Sequence, residues 1–355
     1  MAAAEPATND TDVKPTPDGP PQPRPLYEAS TQHKNWRFSP EQLAASRKSL
    51  NAAAVKGIKD LLEKESPGSS EGVKFLDADE EHALVTYYAR VVTSMCARIG
   101  LAEEVEATAV SYLKRFYLKN TVMDWHPMNV TITALFLATK TCNMPVSLEY
   151  YVSKLPSGKT SAQDVLDLEF LVAQSLSFEF TVWHAHKALW GIALDLQSLP
   201  ELDQETTKRV HATALSHMRA ARLTDAELIY TPSQIAIACV YLADSRMAET
   251  YLGSQGSGNM LNTVQEAAGM IERDGKGADV ALVKDIDRRL KLCKNPERVP
   301  GTKLYEARQA KVDAAAEKKR SLKAASTQES LKSQEEMFGP SIALPTPEDE
   351  EVEGR

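Results

Sequence analysis
Apolar positions along this chain recur at helical spacing, and the same pattern is written twice. Val110, Leu113, Phe116 and Tyr117 make one apolar stripe, the signature of an amphipathic helix. A polar joint at Lys119 and Asn120 follows, then His126-Pro127 and the run ITALFLA. Proline suits the first position of a helix, where its missing N–H leaves no bond unmade. The run after it is apolar on nearly every side, which predicts a central helix wrapped by others. Residues 214–243 repeat residues 109–138 without a gap: Ala109/Ala214, Leu118/Leu223, Pro127/Pro232, Ile132/Ile237 and Ala138/Ala243 are identical. Solenoid units recur every 20–50 residues or so. An offset of 105 instead predicts two globular domains built on one helical plan.

The rest of the first unit reads as helices too. Leu84, Tyr88, Val91, Val92, Met95 and Ile99 share a stripe over residues 78–99, a short helix lies near Ser147–Leu155, and another runs from Ser161 to about Leu176. Ser161 with Asp164 resembles a capping box. Upstream, Ser39-Pro40-Glu41-Gln42 carries an N-cap, a first-position proline and a third-position glutamine, opening a helix to about Lys59. Thr302 heads a charged helix from Lys303 to about Ala325. The predicted organisation is a Pro-rich disordered tail (1–34), a helical arm and linker (35–72), a first unit (73–181), a second (182–294), a C-terminal helix (295–325) and a disordered acidic tail (326–355). Neither terminal helix belongs to the duplicated plan, so neither is expected to complete a repeat core.

Composition sharpens this into an all-α chain: 43% of residues are hydrophobic, yet only 6% are aromatic and 16 are glycine. The net charge of −8 argues against a nucleic-acid footprint, which needs a basic face. Four cysteines (Cys96, Cys142, Cys239, Cys293) stand singly, indicating neither a disulfide framework nor a zinc site. No signal peptide or run of transmembrane length is seen, so a soluble intracellular protein is expected, without membrane association.

Candidate chemistry is sparse. GSQGSG at 253–258 follows a helix and reads as a turn. His184 and His186 lack a third ligand and read as structural. No nucleophile elbow is present, and no cofactor is expected. The two units differ where the central helix ends: Lys140 closes the first, Ser245 stands in the second. Lys140 is either a favourable charge at a helix C-terminus or an ammonium offered to a partner's carbonyls. Glu169, between Leu168 and Phe170, is either on a solvated face or a carboxylate for a partner's N–H groups.

A pair of five-helix repeats, with a lysine ending the third helix and a glutamate within the fifth, resembles the cyclin family. YLKRFYLKNTVMDWHPMNVTITALFLATK and LDLEFLVAQSLSFEF look like a first cyclin box; NWRFSPEQLAASR and LTDAELIYTPSQIAIA look like its cyclin H branch. The resemblance covers roughly Asn35 to Asn295. It implies two tandem cyclin boxes flanked by N- and C-terminal helices, and a non-catalytic, nuclear activator of a cyclin-dependent kinase. The partners it implies are that kinase, a RING-type assembly factor and the remainder of general transcription factor H. It also places kinase contacts at Lys140, Glu169, Phe178 and Leu137. The terminal helices, with Trp36 and Phe38 heading the arm, are expected to pack together near the first repeat. Two features depart from the family: Thr141-Cys142-Asn143 replaces an acidic pair, and the first helix lacks the substrate-docking patch of cell-cycle cyclins. Another transcriptional cyclin with a different kinase, a TFIIB-like two-repeat factor and a helical scaffold are the alternatives.

Overall fold
The computed structural model describes residues 26–155, 160–199 and 203–338, and all its regular elements are helical. Two short helices, α1 (Leu26–Ala29) and α2 (Thr31–Asn35), precede the long α3 (Pro40–Glu65). The first repeat comprises α4 (Ala78–Ile99), α5 (Glu103–Phe116), α6 (Pro127–Thr141), α7 (Leu148–Ser153) and α8 (Ala162–Ser175). The second comprises α9 (Ala185–Ser198), α10 (Gln204–Ala221), the short α11 (Ala226–Ile229), α12 (Pro232–Ala243), α13 (Ser245–Ser254) and α14 (Leu261–Asp274). Two further helices follow, α15 (Val280–Leu290) and α16 (Lys303–Phe338).

The duplicated pattern becomes duplicated structure. Pro127 and Pro232 each occupy the first turn of the central helix. In α6 every residue from Val130 to Thr139 is buried, and in α12 every residue from Ile235 to Val240. Each central helix anchors its own apolar core. The starts are fixed as the sequence predicts: Ser39 and Gln42 form a reciprocal capping box on α3, and Ser161 and Asp164 another on α8.

Four expectations about the flanking segments are corrected. Residues 26–34, assigned to a disordered tail, form α1 and α2: Ser30 caps α2 by accepting from the His33 amide. The Gln32 side chain accepts from the Trp183 amide at 2.7 Å. Helix α16 does not stop near Ala325 but continues to Phe338, because no glycine or proline interrupts the sequence until Gly339-Pro340. The remaining tail residues, 1–25 and 339–355, lie outside the described residues.

The third correction concerns α15, assigned by sequence to the second unit. Its Val283, Ile286 and Leu290, with Cys293 after it, sit in the core of the first repeat. His126 Nε2 meets Asp287 Oδ1 at 2.9 Å, and the Asn295 amide donates to the Met123 carbonyl at 3.1 Å. The chain therefore crosses back over α4 after finishing the second repeat.

Fourth, the arm does complete the repeat cores. Leu43 near the start of α3 belongs to the second core and Ile58 near its end to the first. One helix thus bridges both repeats. At its far end the Glu65 carboxylate accepts the backbone N–H groups of Lys303 and Leu304 at 2.8 and 2.9 Å, a carboxylate at the positive end of α16. The terminal helices do meet, as expected, next to the first repeat.

Candidate partner-binding surface
After the buried run that begins at Val130, the first residue of α6 to leave the core is Lys140. Thr131 to Thr139 are buried and Lys140 is exposed, so the run that makes this helix central also decides where it emerges. The Lys140 ammonium lies 4.4 Å from the centroid of the Phe136 ring, one turn back. It also donates to Glu169 Oε1 on α8 at 2.6 Å. The two residues singled out separately in the sequence are therefore partners of each other in the free chain. An ion pair this exposed contributes little to folding. It fixes where both charges point.

Around the pair, α8 turns apolar side chains outward. Val165, Val172 and Ala173 face the core, while Leu166 is 43% exposed and Phe170 68%. Phe178 joins them because of how α8 ends. The Phe178 amide bonds the Ala173 carbonyl at 3.0 Å and the Ser177 amide bonds the Gln174 carbonyl at 2.9 Å, a Schellman motif. Such a motif needs a left-handed residue, usually glycine. Here Ser177 and Phe178 both adopt it, at φ 55° and 58°. The reversal swings Phe178, 55% exposed, to 6.1 Å from Phe170 and 6.2 Å from Phe180, ring centroid to centroid.

Helix α6 ends in the same way. The Met144 amide reaches the Thr139 carbonyl at 2.9 Å, with Asn143 left-handed at φ 55°. The buried Tyr112 hydroxyl ties the two ends together, bonding Thr141 Oγ1 at 2.9 Å and the Phe180 carbonyl at 2.7 Å. The result is a charged pair beside an exposed aromatic pair on a rigid base.

Of the other residues expected at this surface, Leu137 is only 6% exposed and packs in the first core. It supports the surface rather than lying on it, since the inward stripe of α6 runs through it. Phe170 and Leu166 were missed, because an outward phenylalanine on an apolar helix looks like core in sequence; their i, i+4 spacing beside Glu169 was the available signal. Tyr112 gave no signal. At the mirrored position in the second repeat, α12 ends at Ala243 and Ser245 begins the next helix, capped by Asp244. The lysine that emerges from α6 thus has no counterpart at the end of α12; the nearest cation, Arg246, belongs to the first turn of α13.

Trp36 sits on the seam between the repeats. Its indole N–H donates to Glu179 Oε2 at 2.6 Å, and the Arg115 guanidinium lies over its ring at 5.1 Å. The Phe38 amide donates to the Leu228 carbonyl at 2.8 Å, and its ring packs against the second core. The seam itself is polar. The buried Lys114 donates to the Thr224 carbonyl at 2.6 Å and pairs with Glu227 at 3.0 Å. Ser111 donates to the same carboxylate at 2.6 Å. Burial pushes the Glu227 pKa up, but Lys114, Ser111 and Arg115 together bring it below the ordinary carboxylate value. His184, read as structural, is buried beside Thr108 Oγ1 at 3.0 Å, its ring stacked on His186. Among the described residues no group of three or more His, Cys, Asp or Glu is placed to hold a metal ion. No described helix is long and apolar enough to cross a membrane.

Comparison with known proteins agrees with this architecture. Residues 64–181 match the family described as cyclin, N-terminal domain, and residues 184–287 match cyclin C-terminal domain. Cyclin-H of Xenopus laevis is 31% identical over 237 residues, covering 64% of this chain and 72% of the relative. The chain belongs to the cyclin family. Cyclin mcs2 of Schizosaccharomyces pombe is 28% identical to this cyclin over 292 residues, 80% of this chain and 90% of the relative. With these and further relatives named cyclin-H, this cyclin falls on the cyclin H branch. Two solved structures share its fold. One is a chain of the CAK complex of Chaetomium thermophilum bound to ATP-gamma-S, at 28% identity and a TM-score of 0.72, covering 81% of this cyclin and 94% of that chain. The other belongs to the yeast TFIIK (Kin28/Ccl1/Tfb3) complex, at 29% identity and a TM-score of 0.59, covering 69% and 100%.

Proposed function
We propose that this cyclin is the regulatory subunit of the kinase module of general transcription factor H. It binds and activates a cyclin-dependent kinase in the nucleus, with a RING-type assembly factor as third member, and contributes no catalytic group. The observation that carries this reading is the surface at the ends of α6 and α8. There Lys140 keeps donor directions beyond its bond to Glu169, and Phe170 and Phe178 stand exposed beside them. Aromatic side chains flanking a charge-assisted pair suit an interface that buries apolar area while fixing orientation.

Activation then follows from differential binding. A kinase helix that swings between two positions is held by this surface in one of them, the position that brings the kinase's glutamate to its ATP-positioning lysine. The extent of activation is limited by how much better the surface binds that arrangement than the other. The rigidity supplied by Tyr112 and the two Schellman ends matters here, because a surface that adapts to both arrangements shifts nothing. Relatives in the CAK and TFIIK complexes support the choice of kinase module.

The test is reconstitution with a purified cyclin-dependent kinase of the transcriptional class. Its activity on a peptide of RNA polymerase II C-terminal repeats should rise on addition of this cyclin and fall when Phe170 and Phe178 are changed to serine. Binding to duplex DNA, measured alongside, should stay in the weak non-specific range of about 10⁻⁶–10⁻⁴ M. Tight, salt-sensitive DNA binding without kinase activation would overturn the proposal.

A further inference from the structure
From Gln309 to Ser330 every residue of α16 is exposed. Isolated helices are marginal in water, and most helical stability comes from packing, so a helix this long without a packed face calls for an occupant. Most of its charges are sorted, with Arg320 beside the acidic stripe and Glu329 beyond Lys323 as the exceptions. At about 100° per residue, Glu306, Asp313 and Glu317 fall on one narrow stripe of the helix. The opposite face carries Arg308, Lys311, Lys318, Lys319 and Lys323. Between these cations run Val312 and Leu322, 47% and 62% exposed. In a chain of net charge −8, this is a local concentration of positive charge around an apolar line. That combination suits an acidic polypeptide segment.

The chain carries such a segment. Beyond Phe338 the sequence continues to Glu348-Asp349-Glu350-Glu351-Val352-Glu353. The ten residues from Phe338 to Glu348 span at most about 34 Å. Measured back along the helix at about 1.5 Å per residue, Lys323 and Lys318 lie about 22 and 30 Å from Phe338. The acidic stretch therefore reaches the cations, and its tether confers a high effective concentration there.

We propose that the basic face of α16 is a docking site for an acidic peptide segment, and that its occupant is this chain's own stretch from Glu348 to Glu353. While the stretch is docked, the basic face is closed to other acidic polypeptides.

The experiment uses the full chain and a fluorescent peptide of residues 344–355 added in trans. One variant neutralises the stretch within the full chain: Glu348→Gln, Asp349→Asn, Glu350→Gln, Glu351→Gln and Glu353→Gln. It should bind the added peptide at least about tenfold more tightly than the wild type, because the tethered competitor is gone, and raising salt should weaken that binding. Adding Lys318→Glu, Lys319→Glu and Lys323→Glu to the neutralised chain should abolish binding with no change in melting temperature, these side chains being exposed. Equal binding by wild-type and neutralised chains overturns the proposal, as does binding that survives the lysine reversals.

Discussion

Arg47 and Asp225, 178 positions apart in sequence, form a two-bonded ion pair at 2.6 and 2.8 Å. The arm helix α3 is thereby clamped to the turn before α11 in the second repeat. Burial alone pushes the Asp225 carboxyl up, but Arg47 and the neighbouring His82 outweigh it and bring its pKa down to about 2. The unfolded value is about 3.9. The folded pKa is the lower, so the pair's contribution is complete above about pH 4 and is lost as pH falls towards 2. Asp225→Asn should cost about 2 kcal/mol near neutral pH. Urea titrations should show that gap closing between about pH 4 and pH 2; a gap independent of pH contradicts the clamp.

His184 makes the seam acid-sensitive over a different window. Burial, and then the adjacent His186, bring its pKa down to about 3, against about 6.5 when unfolded. The unfolded chain takes up a proton that the folded chain refuses, so stability falls as pH drops from about 6.5 towards 3. Relative to wild type, His184→Gln should remove about 1.4 kcal/mol per pH unit of that slope. Identical slopes from pH 6 to pH 4 would show that His184 is not the group responsible.

The end of α8 should separate stability from binding. Ser177→Gly removes the penalty of a left-handed side chain at φ 55° and should stabilise the free cyclin by about 0.5–1 kcal/mol. Its kinase affinity should be unchanged. Phe178→Ala keeps the backbone turn but removes the exposed ring. It should leave the melting temperature nearly unaltered and weaken the kinase complex. Calorimetry on the two variants, with and without kinase, distinguishes these roles.

The arm is structural as well as peripheral. Trp36 is 3% exposed, and Trp36→Ala should cost about 3–5 kcal/mol, in the range of a buried aromatic deletion. Deleting residues 1–60 uncovers the places of Leu43 and Ile58 in both cores, so the truncated chain should melt well below the intact one. A truncated chain that melts with the intact protein would refute the bridging role of α3.

Local signals made much of the fold legible. Ser39, Ser161, Pro127 and Pro232 mark helix starts by chemistry confined to a few neighbouring residues, and each stands where that chemistry requires. Burial partners are not local. The stripe of α15 shows that Val283, Ile286 and Leu290 face a core, but not which one, and a reading by chain order assigned them to the second repeat. The arm helix that carries Leu43 and Ile58 reads as dispensable to the cores for the same reason: the duplication describes what the repeats share, not what covers them. At the partner surface, Lys140 and Glu169 stood out only by the asymmetry between repeats and by resemblance. Their mutual bond was unreadable, because two helices apart in sequence must first be packed side by side.

Whether the first repeat grips the kinase through the emerging end of α6 is read most directly from kinase affinity for wild type, Lys140→Ala and Ser245→Ala. Lys140→Ala should weaken binding by about ten- to a hundredfold, the loss of charge-assisted bonds worth about 1.5–3 kcal/mol, with helicity and melting unchanged. Ser245→Ala, at the mirrored position where serine replaces the lysine, should bind within about twofold of wild type, since ordinary surface changes stay within about 0.5 kcal/mol. Equal losses at both positions, or no loss at Lys140, would contradict this account of how the cyclin holds its kinase.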